Sequence, residues 1–222
     1  AVTVKILPFD NKSELQVVID MPEGTTLEKT AAVTKEIALY LSQNELVKNY
    51  QTYVGTSAPI SFNGLVRHYD LRQGAHVADI QVNLVHKSNR SEASHAIAKN
   101  LRQPVQQIGL KYGANVKVVE VPPGPPVMST IVAEIYGPDY QKQIEIAQQV
   151  KERLSQMPNV VDVDWMMEDE QTEYFFEVDK ERALLAGVAP QNVVAVMNLA
   201  LSGKNIAPFY GRNEKNQTGI VL

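Results

Sequence analysis

The chain has 222 residues, is 44% hydrophobic and 21% charged, and carries a formal net charge of −4. That composition can build a globular core, and without clustered Lys and Arg to neutralise phosphates it argues against a nucleic-acid-binding face. There is no cysteine, which removes disulfides, thiolate metal sites and cysteine nucleophiles, and no apolar run reaches the roughly 18 residues needed to span a bilayer.

In chain order, "ELQVVIDM" (14–21) is rich in β-branched residues and reads as a strand. "PEGTT" turns the chain, and Thr25 and Glu28 have the spacing of a capping box. Leu27, Ala31, Thr34, Ala38 and Leu41 then recur at the interval of an amphipathic helix. "ELVKNYQTYVG" (45–55) reads as a second strand, residues 56–74 as a long loop without clear period, and "HVADIQVNLV" (76–85) as an alternating third strand. Ser88 or Ser91 can cap a helix running to about Gly109, with Ile97, Leu101, Val105 and Ile108 on one face. Pro104 should bend that helix or end it early. "NVKVVEV" (115–121) closes the unit as a strand. The order across 14–121 is β-α-β-β-α-β, the ferredoxin-like split βαβ arrangement of an α+β fold, with two helices expected on one face of a four-stranded sheet.

"PPGPP" (122–126) reads as a stiff linker, because proline fixes φ and glycine breaks the run. The pattern then restarts. "STIVAEIYG" (129–137) reads as a strand, and Pro138-Asp139 opens a helix with Ile144, Ala147, Val150 and Leu154 as its apolar stripe. "NVVDVDWMM" (159–167) and "TEYFFEVD" (172–179) read as further strands. The second unit is thus a weak repeat of the first, lacking a second helix and last strand, which are expected beyond Leu222 after an insertion starting near residue 180. The abrupt start at Ala1, without a signal-peptide pattern, suits an excised fragment. The insertion opens with two short helical pieces, "DKERALLAG" and "PQNVVAVMN", parted by a glycine.

No nucleophile elbow, dinucleotide-binding glycine motif, P-loop or zincin motif is present, so no enzyme activity or cofactor is expected. His68, His76, His86 and His95 lack metal-ligand spacing, and the acidic run 162–170 lacks that of a calcium loop and reads as a solvated strand edge. The 56–74 loop is the main candidate site. Ile60, Phe62, Leu65, Val66 and Tyr69 beside Asn63 and Arg67 offer an apolar surface with a few polar groups, which suits an amphipathic small molecule. The structural alternative is that Phe62 and Leu65 simply anchor the loop. The soft thioethers of Met21 and Met128 are weak metal-ligand candidates, and equally ordinary core fillers.

The segment "YFFEVDKERALLAGVAPQNVVAVMNLALSGKNIAPF" resembles a recurring stretch of RND-superfamily efflux permeases of the acriflavine-resistance type. "ILPFDNKSELQVVIDMPEGTTLEKT" resembles the family's passage from a transmembrane helix into its second large periplasmic loop, and "MPNVVDVDW" its "PGV" strand start. The resemblance implies a porter subdomain at 1–121, a linker at 122–126, the first half of a second porter subdomain at 127–179, and the start of a docking subdomain at 180–222. It further implies a periplasmic loop of a bacterial inner-membrane, proton-driven antiporter that exports amphipathic or toxic small molecules. Such a pump is a homotrimer joined by a periplasmic adaptor protein and an outer-membrane channel, with its proton-carrying residues in transmembrane helices outside this chain. In the family, the loop matching 56–74 lines the substrate path. The family's copper- and silver-exporting branch places three methionines in the porter cleft, of which Met21 and Met128 match two while the third position falls near Val77. Export of soft metals is therefore the alternative within the family, and a free-standing ferredoxin-like ligand-binding module is the alternative outside it.

Overall fold

The computed structural model describes residues 11–59, 71–121, 129, 131–167, 172–212 and 215–222. The chain divides into two compact units, Ala1–Gln171 and Thr172–Leu222.

The first unit contains the expected β-α-β-β-α-β order: β1 (Glu14–Asp20), α1 (Leu27–Ser42), β2 (Val47–Thr56), β3 (Gln73–Leu84), α2 (Ser94–Tyr112) and β4 (Asn115–Glu120). The strands form one antiparallel sheet in the order β2-β3-β1-β4, with β1 central. Strand periodicity sorts its residues into two faces. Leu15, Val17 and Ile19 of β1 join Ile80 and Val82 of β3 and Val116 and Val118 of β4 in a core with Val33, Ile37 and Leu41 of α1 and Ile97, Leu101 and Val105 of α2. Both helices therefore cover one face of the sheet, as the apolar stripes predict. At Gly109 the helix approaches β4 so closely that an added Cβ would lie 2.3 Å from Val116 Cγ2.

Three local expectations are corrected. The Thr25 hydroxyl donates to Pro22 O at 2.6 Å within the turn, so the residue before α1 is Thr26, which makes no side-chain cap. Residues 87–89 form a short 3-10 turn and α2 starts at Ser94, so neither Ser88 nor Ser91 caps it. Pro104 neither ends nor shortens α2, which continues to Tyr112. Burial of Leu101, Val105 and Gly109 on either side of the proline holds the helix together, while the Asn100 turn whose hydrogen bond is lost faces solvent.

Beyond β4, α3 (Tyr140–Ser155) is N-capped by Asp139, whose side chain accepts from Lys142 N at 3.2 Å. Ile144, Ala147, Val150 and Leu154 are half-buried along it, together with Gln143 and Lys151. The expected strands at 129–137, 159–167 and 172–179 have no ladder partner among the described residues. The apolar pattern of a strand is there, but a strand exists only once a neighbour satisfies its N–H and C=O groups.

In the second unit, Asp179 N-caps α4 (Lys180–Leu185) by accepting from Arg182 N at 3.0 Å. Gly187 at φ +71° ends it, and Pro190 opens α5 (Pro190–Ser202). The two helical pieces and the glycine between them are as the sequence predicts. A hairpin of β5 (Asn205–Phe209) and β6 (Thr218–Val221) completes the unit. No helix among the described residues is long and apolar enough to cross a membrane.

Candidate functional site

The face of the sheet turned away from α1 and α2 is polar yet buried. Strand register places Asp79 of β3, Val18 of β1 and Lys117 of β4 in one row across three strands. Asp79 and Val18 are fully buried and Lys117 is 7% exposed. Gln16 and Asp20 lie on the same face one step either side of Val18, because alternate residues of a strand share a face.

Charges on this face are paired in a continuous chain. The Arg72 guanidinium, just before β3, donates to Asp79 Oδ1, Asp20 Oδ1 and, at 2.9 Å, Ile19 O. Asp79 Oδ2 also accepts from Gln16 Nε2 at 3.0 Å and from Ala58 N at 2.8 Å. Lys117 Nζ donates to Asp20 Oδ2 at 3.0 Å and to Asp164 Oδ2. Burial alone would raise the Asp20 carboxyl, but the Arg72 and Lys117 charges outweigh it and hold it below its ordinary value. Burial would likewise strip the proton from Lys117, yet Asp20 and Asp164 beside it keep its pKa above the ordinary range. Arg72 is held above its ordinary value in the same way, by Asp20 and Asp79 against burial. Buried charges persist only with such compensation.

The chain of charges ends on the acidic run 162–170, expected from the sequence to be a solvated strand edge. Its described part is instead anchored. Asp162, at φ +55°, accepts from Arg102 Nε at 3.2 Å and Gln106 Nε2 at 2.9 Å, both on α2. Burial dominates at Asp162 and pushes its carboxyl above the ordinary value despite the Arg102 charge. Trp165 stacks under Lys151 of α3, 4.4 Å from the ring centroid.

Of the residues singled out in the sequence, Ile60, Phe62, Asn63, Leu65, Val66, Arg67, His68, Tyr69 and Met128 lie outside the described residues. The ends of their loop do not: Ala58 and Arg72 converge on Asp79. Met21 is 4% exposed and packs in the helix-side core, whereas Val77 pairs with Asp20 on the polar face. His86 and Ser88 share a 2.7 Å hydrogen bond, and His95 contacts Glu120 at 2.9 Å. Among the described residues no three His, Asp or Glu side chains cluster as a metal site. Asp79, Asp20 and Lys117 escaped the sequence reading. Their signal was a charge on alternate positions of otherwise apolar strands, "VIDM", "HVADIQV" and "NVKVVEV", beside Gln16 and Gln81.

A four-stranded antiparallel sheet in split-βαβ order with both helices on one face matches the fold of a porter-subdomain fragment of RND efflux permeases. The chain matches the AcrB/AcrD/AcrF family over residues 1–221, and belongs to that family of RND efflux transporters. Its fold is similar to two solved structures of a heavy metal efflux pump. One crystal form gives a TM-score of 0.66 at 15% identity, covering 97% of this chain and 21% of the other. A second crystal form gives the same score and identity over 98% and 22%. The chain thus spans about a fifth of those proteins. A comparison with curated protein sequences finds no match.

Proposed function

We propose that the chain is a periplasmic porter portion of a proton-driven RND permease that exports amphipathic or toxic small molecules, with Ile60, Phe62, Asn63, Leu65, Arg67 and Tyr69 contacting the substrate. The observation that carries this reading is the family match across residues 1–221, joined to a loop of amphipathic composition whose two ends are held on the buried polar face. On this reading residues 1–121 form one porter subdomain, 127–179 begin the next, and 180–222 begin a docking subdomain. The whole protein works as a homotrimer with a periplasmic adaptor and an outer-membrane channel. Phe62→Ala in the full-length permease is expected to alter resistance unevenly across compounds at constant protein abundance, read by growth inhibition beside immunoblotting. Equal loss for every compound with falling abundance would assign Phe62 a packing role instead, since truncating a buried Phe costs about 3–5 kcal/mol.

Export of soft metal ions is the second reading, favoured by the description of both similar structures as a heavy metal efflux pump. Thioether sulfur suits Cu(I). Against it, Met21 is packed in the helix-side core and Val77 offers no donor. Changing Met21 and Met128 together to Leu, which keeps their volume, is expected to leave efflux intact and copper tolerance unchanged. Tight, stoichiometric Cu(I) binding abolished by that double change would favour the metal reading.

A further inference from the structure

The β2–β3 ladder does not run regularly up to its connecting loop. Val54 pairs with Ala78, but Thr56 pairs with Gln73, so β3 carries extra residues between these rungs. Gly55 and Gly74 flank this irregularity with φ of +77° and +134°. The extra stretch pairs elsewhere: Met21 N donates to His76 O at 2.8 Å, and the Thr30 hydroxyl to Ala75 O at 2.6 Å. A bulge of this kind bends a strand and re-aims the residues beyond it. Beyond the bulge a single rung, Thr56–Gln73, joins β2 to β3 where the chain leaves and rejoins the sheet.

A side chain reinforces that rung. Ala58, two residues past the end of β2, donates its N–H to Asp79 Oδ2, and Arg72, one residue before β3, donates to Asp79 Oδ1. The carboxylate is fully buried in mid-strand, and Gln16 of β1 donates to it as well. Arg72 is fastened a second time, to Ile19 O and Asp20 on β1. One carboxylate thus receives a donor from each stem of the loop and a third from the central strand.

We propose that Asp79 is a positioning residue that fixes where the chain leaves and rejoins the sheet on either side of residues 60–70, binding both flanking stems, at Ala58 and Arg72, to the polar face of the sheet. The functional half of this inference rests on the reading that 60–69 meets the substrate; the structural half does not. An amide at position 79 would keep the shape and one acceptor. It would lose the charge and one of the two oxygens that Arg72, Ala58 and Gln16 now share, so both stems should loosen together while the helix side of the sheet stays intact.

The chain has no cysteine, so single spin labels can be placed without ambiguity. Pro59→Cys and Leu71→Cys report on the entering and leaving stems, and Leu110→Cys, on the far side of α2, is the control; Leu71 and Leu110 are 70% and 71% exposed. Electron paramagnetic resonance of the 222-residue chain is expected to show Asp79→Asn shortening the correlation time at 59 and 71 by about threefold or more, as for a stem released to nanosecond loop motion, with position 110 unchanged. Should the variant lose its global fold, the comparison is made in sucrose at a concentration that restores the control label, since excluded osmolytes favour the compact state. Unchanged spectra at 59 and 71, or equal mobilisation at all three positions, would overturn the proposal. In the full-length permease, Asp79→Asn is expected to shift the pattern of resistance across compounds in the same sense as Phe62→Ala. Loosened stems with an unchanged pattern would uphold the positioning role and sink the substrate-loop reading.

Discussion

Arg72→Met will destabilise the first unit by about 3–5 kcal/mol, the usual cost of removing one partner from a buried ion pair. The size comes from what is left behind. Asp79 is fully buried, and without Arg72 its partners among the described residues are the neutral donors Gln16 and Ala58. Adding Asp79→Asn should return part of the loss, because a neutral amide no longer strands a charge; urea unfolding of the two single variants and the double variant gives the coupling directly. The acid range supplies a second readout. Asp20 is held below its ordinary value of 3.8, so its stabilising contribution is complete above that value and is lost as pH falls through the lowered, folded one. With Arg72 gone, Lys117 alone opposes the burial of Asp20, and the acid-induced loss of stability should begin at a higher pH than in the wild type. An unchanged acid profile would show that Arg72 does not set the charge state of Asp20.

Leu101→Ala will cost about 2–5 kcal/mol, whereas Leu201→Ala will stay within about 0.5 kcal/mol. Leu101 is 1% exposed at the centre of α2, packed against the sheet beside Ile97 and Val105, and truncation leaves a cavity that neighbours in rotamer minima cannot fill. Leu201 is 66% exposed in α5, and Val194, Val196 and Leu199 along the same helix are also exposed. The contrast, measured by denaturant unfolding, tests whether the first unit owns a closed core while α5 makes its apolar contacts elsewhere. A large loss from Leu201→Ala would show that α5 is packed in solution.

The residues of 14–121 were enough to lay out the β-α-β-β-α-β order, because each element announces itself within a few residues. Leu15, Val17 and Ile19 alternate; Ile97, Leu101 and Val105 recur at the helical interval; Asp139 and Asp179 stand where helix N-termini need an acceptor; Gly187 stands where the chain turns left-handed. These are short-range signals, and short-range physics reads them. Pro104 defeats the same kind of reading, because the bond it removes is outweighed by burial on either side of it, a tertiary quantity. Strands are over-assigned at 129–137, 159–167 and 172–179, since alternation states which face a strand would bury and says nothing of whether a neighbour is there to complete the ladder. The site shows the division most clearly. An aspartate in "HVADIQV" is visible to anyone, but its partners stand far away along the chain: Gln16 is 63 residues off and Ala58 is 21. Lys117 meets Asp20 across 97 residues and Asp164 across 47. Composition alone marked the 56–74 loop as a place for an amphipathic ligand. That both ends of it close on a single buried carboxylate was decided by strand register, which sets Asp79, Val18 and Lys117 in one row and turns that row away from the helices.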